Sequence, residues 1–168
     1  MELQQLKKIL AAEAKEKGIC KEWYEYILNA PSKERLLMLF VKGLNFCLKN
    51  NYQASPLWAE FEGIRQHYGV FLNEPINAKD LRNVIAFGTS EGIAEFSGFT
   101  VSQVWARDNT KIVIKATGYA YVTIDIADCA EVEITASDAA RVCVFLHGGS
   151  YTKSTTGNAR INIIDKRK

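Results

Sequence analysis

The chain reads as an α+β protein: an N-terminal helical bundle of about four helices, followed by a short parallel β-solenoid (β-helix) built on ten-residue repeats. Three observations predict this. Large apolar residues recur at three- and four-residue steps through the first seventy residues, the spacing of one helix face. From Gly98 the apolar period changes to two, the spacing of strands with one buried side. Within that alternation a phrase of the form [G/D]-x-[T/A]-x-[V/I]-x-[V/I]-x-[A/I/L]-x returns every ten residues from Gly98 to Leu146, with Ser102 the one lapse.

The helices come in order. Leu3, Leu6, Ile9, Leu10 and Ala14 make the first stripe, and Gly18 stops it. Trp23, Tyr24, Tyr26, Ile27 and Leu28 mark a second helix that ends at Pro31-Ser32. Ser32 can cap a third helix, "KERLLMLFVKGLNFCLKNN", by accepting a backbone N–H bond. Ser55 and Pro56 offer a cap and a first helical position for a fourth, "SPLWAEFEGIRQHYG", which Gly69 would end. The aromatics Trp23, Tyr24, Phe40, Phe46, Trp58, Phe61 and Tyr68 most simply form the core between helices, with a ligand pocket built from them as the alternative. His67, near a helix C-terminus, suits the negative end of the dipole. These elements define a helical domain over residues 1–70 and a linker or transition over 71–97, where "FGTSEGIAEFSG" carries three glycines.

Residues 98–168 are the repeat domain. Alternation could serve an antiparallel meander, but its reversals need Asn-Gly, Asp-Gly or Pro turns, and those are missing from 98–146. A solenoid needs only a gentle corner, which Gly or Asp at every tenth position supplies. If one coil holds two repeats, Lys111 stacks on Glu131 and Tyr121 on Arg141, each pair contributing roughly 0.2–1 kcal/mol. "HGGSYTKSTT" then interrupts the pattern as a hydroxyl-rich loop, and "GNARINII" restores it on odd numbers.

The repeat resembles the short A-x-V-x-A-type arrays of bacterial and prophage-borne proteins, which are thought to form β-helical stacks; the likeness spans about residues 98–163. The helical half, with "GICKEWYEYI", "LNFCLKNNY" and "HYGVF", is similar to uncharacterised proteins of gut Bacteroidetes. The resemblance implies the solenoid and carries no activity, cofactor or site residue.

Chemistry is sparse. A net charge of +2 offers no basic footprint for nucleic acid. Cys20, Cys47, Cys129 and Cys143 form no C-x-x-C pair and stand far in sequence from His67 and His147, which argues against zinc and for reduced thiols. Asp108, Asp128 and Asp138 cap turns rather than bind calcium, since the glycine-rich spacing of calcium β-rolls is missing. Glu131 and Glu133 share an outward face, but carbohydrate-active β-helices are much longer. No metal, cofactor or catalytic set is expected. A charge-broken N-terminus and the lack of a long apolar run place the chain in the cytoplasm, with no membrane partner.

The expectation is a non-enzymatic structural or protein-interaction module. It would assemble or dock through its helical half and present a rigid β face, with a homo-oligomer plausible because solenoid ends are sticky. The candidate surface is Trp105, Tyr119, Tyr121, Arg141, Phe145, His147 and Tyr151. The alternative is a small-molecule or carbohydrate-binding protein, an enzyme among the options, with its site near Tyr68, His67 and the "FGTSEG" loop.

Overall fold

The computed structural model describes residues 1–167, which separate into two compact units, 1–68 and a second that starts at Gly69.

The first unit is helical. α1 (Leu3–Glu16) buries Leu6, Ala11 and Ala14 on one stripe, and Gly18 ends it with φ at +85°, a left-handed value that suits glycine. α2 spans Lys21–Leu28. α3 (Lys33–Lys42) starts where Ser32 Oγ accepts the Arg35 N–H at 3.3 Å. The long third helix expected from sequence is divided at Gly43, and α4 (Leu44–Lys49) follows. A side chain at Gly43 would press on the Leu39 carbonyl and the Trp23 ring, each 3.2 Å from the added carbon, so glycine admits the indole against the backbone.

The expected fourth helix is not an α-helix. Its cap forms as read, with Ser55 Oγ accepting the Leu57 N–H and Pro56 in first place. The chain then makes 3₁₀ turns at Pro56–Phe61 and Arg65–Tyr68, separated by Gly63 at φ +83°. His67 is exposed on the second turn. Among the described residues, no helix is long and apolar enough to cross a membrane.

The second unit is a parallel β-solenoid of eleven strands. Its first sheet holds, in spatial order, β1 (Val70–Leu72), β3 (Asn83–Phe87), β5 (Val101–Ala106), β7 (Tyr121–Ile126), β9 (Arg141–Leu146) and β11 (Arg160–Asp165). The second holds β2 (Pro75–Lys79), β4 (Glu91–Phe96), β6 (Lys111–Ala116), β8 (Glu131–Ala136) and β10 (Ser150–Thr155). Alternate strands therefore fall in alternate sheets, and one coil takes two ten-residue repeats: Lys111 faces Glu131 and Tyr121 faces Arg141, each twenty residues on.

Even-numbered strand residues from Ile112 to Leu146 point inward, while the even-numbered corners Gly118, Asp128 and Asp138 do not. Val122, Ile124, Ile126, Ile134 and Val144 are fully buried. Each contributes about 1.5–3 kcal/mol by leaving water. The recurrent Gly or Asp is the corner: Gly98, Asp108, Gly118, Asp128, Asp138 and Gly157 all have φ between 53° and 62°. The aspartates bond across coils as well. Asp108 accepts the Gly88 N–H at 2.8 Å, Asp128 the Asp108 N–H at 3.0 Å and Asp138 the Gly118 N–H at 2.9 Å. These carboxylates cap backbone donors, the turn role assigned from sequence.

Two sequence expectations need correction. Residues 71–97 are not a linker, because β2, β3 and β4 lie within them as full members of the stack. Their coil is irregular: Pro75 faces Glu91, sixteen residues on, and this shorter step hides the repeat. "HGGSYTKSTT" is likewise not an interrupting loop. Six of its ten residues, Ser150–Thr155, are β10, paired with β8. The inward parity shifts because the corner at His147–Gly149 is one residue short, so Ser150 faces Glu131 at nineteen residues. Gly149 permits that tight corner with φ +71° and no side chain, since a Cβ there would stand 2.2 Å from the Ala130 carbonyl oxygen.

Candidate interaction face

The corners between the second sheet and the first build the most exposed apolar surface of the solenoid. Gly98 and Gly118 turn the chain, and the next residues, Phe99 and Tyr119, are left outside it, 83% and 64% exposed. Their rings stack at 5.0 Å with planes 2° apart. Two residues later, Val101 and Tyr121 open β5 and β7 on the outward side, 67% and 46% exposed. The same column continues to Arg141 and Arg160. The face thus runs from four exposed apolar side chains to two exposed cations. Arg141 Nη1 donates to the Asn158 carbonyl at 2.9 Å, which holds its guanidinium toward the next coil.

A second column on the same sheet carries Trp105, Asp125 and Phe145 in register. All three are half-buried. Asp125 is held from both sides. Arg107 Nη2 donates to its Oδ1, Arg107 Nη1 donates to its carbonyl at 3.0 Å, and His147 Nε2 lies 3.2 Å from its Oδ2. The Arg107 side chain is only 13% exposed, so this ion pair is sheltered from water and worth more than a surface pair. His147, 45% exposed, closes the set from the far corner. The three residues tie successive coils together.

Six of the seven candidate residues therefore lie on or beside the outward face of the first sheet. Tyr151 does not. It opposes Val132 across β8–β10, so its ring turns inward and packs on the solenoid core at the end of the stack. The one-residue shorter corner reverses its parity, and counting onward from Leu146 could not reveal that. Phe99 and Val101 were missed. Their signal was present: Phe99 precedes Tyr119 by one coil, and Val101 precedes Tyr121 by the same twenty residues.

The opposite sheet is chemically plainer. Lys111 and Glu131 form the expected cross-coil pair, at 4.0 Å between charged atoms and well exposed. All four cysteines are free. Among the described residues, no three His, Cys, Asp or Glu side chains gather as a metal-binding group. No family model matches the chain, and neither a curated protein nor a solved structure does.

Proposed function

We propose that this chain is a non-enzymatic structural module that associates with copies of itself through the outward face of its first sheet. The observation that carries the reading is the contiguous patch of Phe99, Val101, Tyr119 and Tyr121, exposed on a rigid parallel stack. Large aromatic side chains and arginine are the groups that dominate protein interfaces, and apolar patches exposed to water favour association. Arg141 and Arg160 supply a polar rim at one side. A second copy fits as the partner because net charge is only +2, so two chains meet with little long-range repulsion. The stacking of Phe99 on Tyr119 restricts both rings, which lowers the entropy lost on docking.

The bacterial and prophage-type relationship rests on the A-x-V-x-A-like repeat alone. A cytoplasmic setting is supported by the four unpaired thiols, which suit a reducing compartment.

The test is solution mass by light scattering across a concentration series, for the native chain and for the double variant Phe99→Ser/Tyr119→Ser. Both sites are exposed corners, so the variant keeps its fold. A multimer that the variant converts to monomer supports the reading. A native chain that stays monomeric throughout overturns it. A multimer unchanged by the variant also overturns it, since assembly would then run through another surface.

A further inference from the structure

The helical unit carries an apolar pocket of about 270 Å³, partly open to solvent and lined by Leu10, Trp23, Ile27, Phe40, Phe46 and Trp58 among others. The sequence predicts these aromatics chiefly as core and offers a ligand pocket as the alternative. Trp23, Phe40, Phe46, Trp58 and Phe61 line the pocket, and Trp58 and Phe61 are buried as well. An apolar concavity leaves its lining short of packing contacts and open to water. A cavity of this size in so small a unit is therefore a feature that needs a reason.

One polar group in the wall points to that reason. Tyr52 lines the cavity, and its hydroxyl is buried without a hydrogen-bond partner. Buried hydroxyls are ordinarily paired, because leaving one unpaired keeps the full desolvation penalty. The rest of Tyr52 is firmly held. Its carbonyl accepts the Trp58 indole N–H at 2.8 Å. Its ring lies 6.2 Å from Phe46 and 4.1 Å beneath the Lys17 ammonium. Lys17 is itself tied to the Asn50 carbonyl at 3.0 Å. The hydroxyl is thus the free member of an otherwise fixed side chain.

The wall also restricts the charge of a guest. Burial pushes the Cys47 thiol and the Tyr52 phenol each up to about 12, so both stay protonated at neutral pH. No Lys, Arg, His, Asp or Glu is among the lining residues. The lining itself offers an ionised ligand no counter-charge, and the nearby Lys17 ammonium is already engaged by the Tyr52 ring and the Asn50 carbonyl. Size follows from volume: scaling from benzene in a cavity of about 150 Å³, this space takes roughly eleven non-hydrogen atoms.

We propose that the helical unit binds a small, uncharged, largely hydrocarbon molecule carrying one carbonyl or ether oxygen, which accepts a hydrogen bond from Tyr52 Oη. Its hydrocarbon part lies against Trp23, Phe46 and the Phe40–Trp58 pair, whose rings meet edge to face at 4.8 Å. This site is separate from the sheet face and stands whether or not the chain self-associates.

The test uses the full chain, labelled with ¹⁵N, and two probes of suitable size: propiophenone, which has the oxygen, and propylbenzene, which lacks it. The indole N–H signals of Trp23 and Trp58 report from the cavity wall, while Trp105 on the solenoid serves as the control. Titration should shift the two cavity signals to saturation and leave Trp105 in place. The ketone should bind about five to ten times more tightly than the hydrocarbon, the margin of one neutral hydrogen bond. Tyr52→Phe should abolish that margin and leave propylbenzene affinity unchanged. The comparison of probes on the native chain needs no variant, so it holds even if Tyr52→Phe perturbs the fold. The proposal is overturned if neither probe gives a saturating shift, if Trp105 moves in parallel, if the native chain does not prefer the ketone, or if Tyr52→Phe keeps the preference.

Discussion

Val132→Asp tests the inward parity on which the whole stack depends. Val132 sits in β8, 3% exposed, with Ile112 and Tyr151 as its register neighbours in the adjacent coils. A carboxylate placed there has no cation to meet and escapes burial of its charge by taking up a proton. From an ordinary value near 3.9, protonation at pH 7 costs about 4 kcal/mol. The neutral carboxyl still lacks partners, which adds roughly 1–3 kcal/mol. Loss of the buried valine adds about 1.5 kcal/mol more. The sum, roughly 6–9 kcal/mol, rivals the whole stability of a typical domain, about 5–15 kcal/mol. Urea unfolding followed by β-sheet circular dichroism and by the Trp105 indole N–H signal in the ¹⁵N-labelled chain reads the loss. Glu133→Lys, one residue along and exposed, should move stability by no more than about 0.5 kcal/mol. The pH dependence has a definite sign. The variant's carboxyl is raised in the folded state, so its penalty is present at neutral pH and shrinks as pH falls toward about 4. Equal losses for the two variants, or a Val132→Asp loss that ignores pH, would refute the assignment.

Two further predictions address corners and charge. Gly149→Ala should cost at least about 2 kcal/mol, because its positive φ strains any side chain and the added carbon would collide with the Ala130 carbonyl. Gly98→Ala, at φ +60° with open space around it, should cost only about 1 kcal/mol by thermal unfolding; equal costs would count against the tight-corner explanation. Glu60 in the helical unit is held below the usual carboxylate range by hydrogen bonds from the Met1 ammonium and then from Lys33, at 3.1 and 3.2 Å. A lowered folded-state value stabilises above the unfolded value, near 4.3, and the benefit fades as pH drops through the folded one. The helical signal of the native chain should therefore lose melting temperature in acid more steeply than that of Glu60→Gln, and identical acid slopes would contradict this.

Legibility in the sequence followed the range of the interactions involved. The caps at Ser32 and Ser55 were readable because a hydroxyl and an N–H two or three residues apart suffice to form them. The inward set from Ile112 to Leu146 was readable because alternation along one strand is a local property. A coil of two repeats is suggested by the pairs Lys111–Glu131 and Tyr121–Arg141, and the strand register decides it. Less was legible where spacing changed. β2 and β3 are hidden because the first steps, fifteen residues from β1 to β3 and sixteen from β2 to β4, are short; β4 reads only as loop or irregular strand, and β10 is hidden because one corner is a residue short. The 3₁₀ turns after Pro56 had the cap and composition of an α-helix, and only the break at Gly63 separates them.

The candidate face divides in the same way. Tyr121, Trp105 and Phe145 were assigned outward from parity alone, whereas Tyr151 was misplaced once parity slipped. The sequence by itself determined the class of fold and the corner filled by Gly or Asp, because both follow from chemistry repeated at a fixed interval. Tertiary structure alone decided the coil length, that Phe99 stacks on Tyr119, that Arg107 and His147 converge on Asp125, and that Tyr52 keeps an unpaired hydroxyl beside an apolar pocket. Those contacts join residues with no shared period, and they exist only once register and packing bring distant segments together.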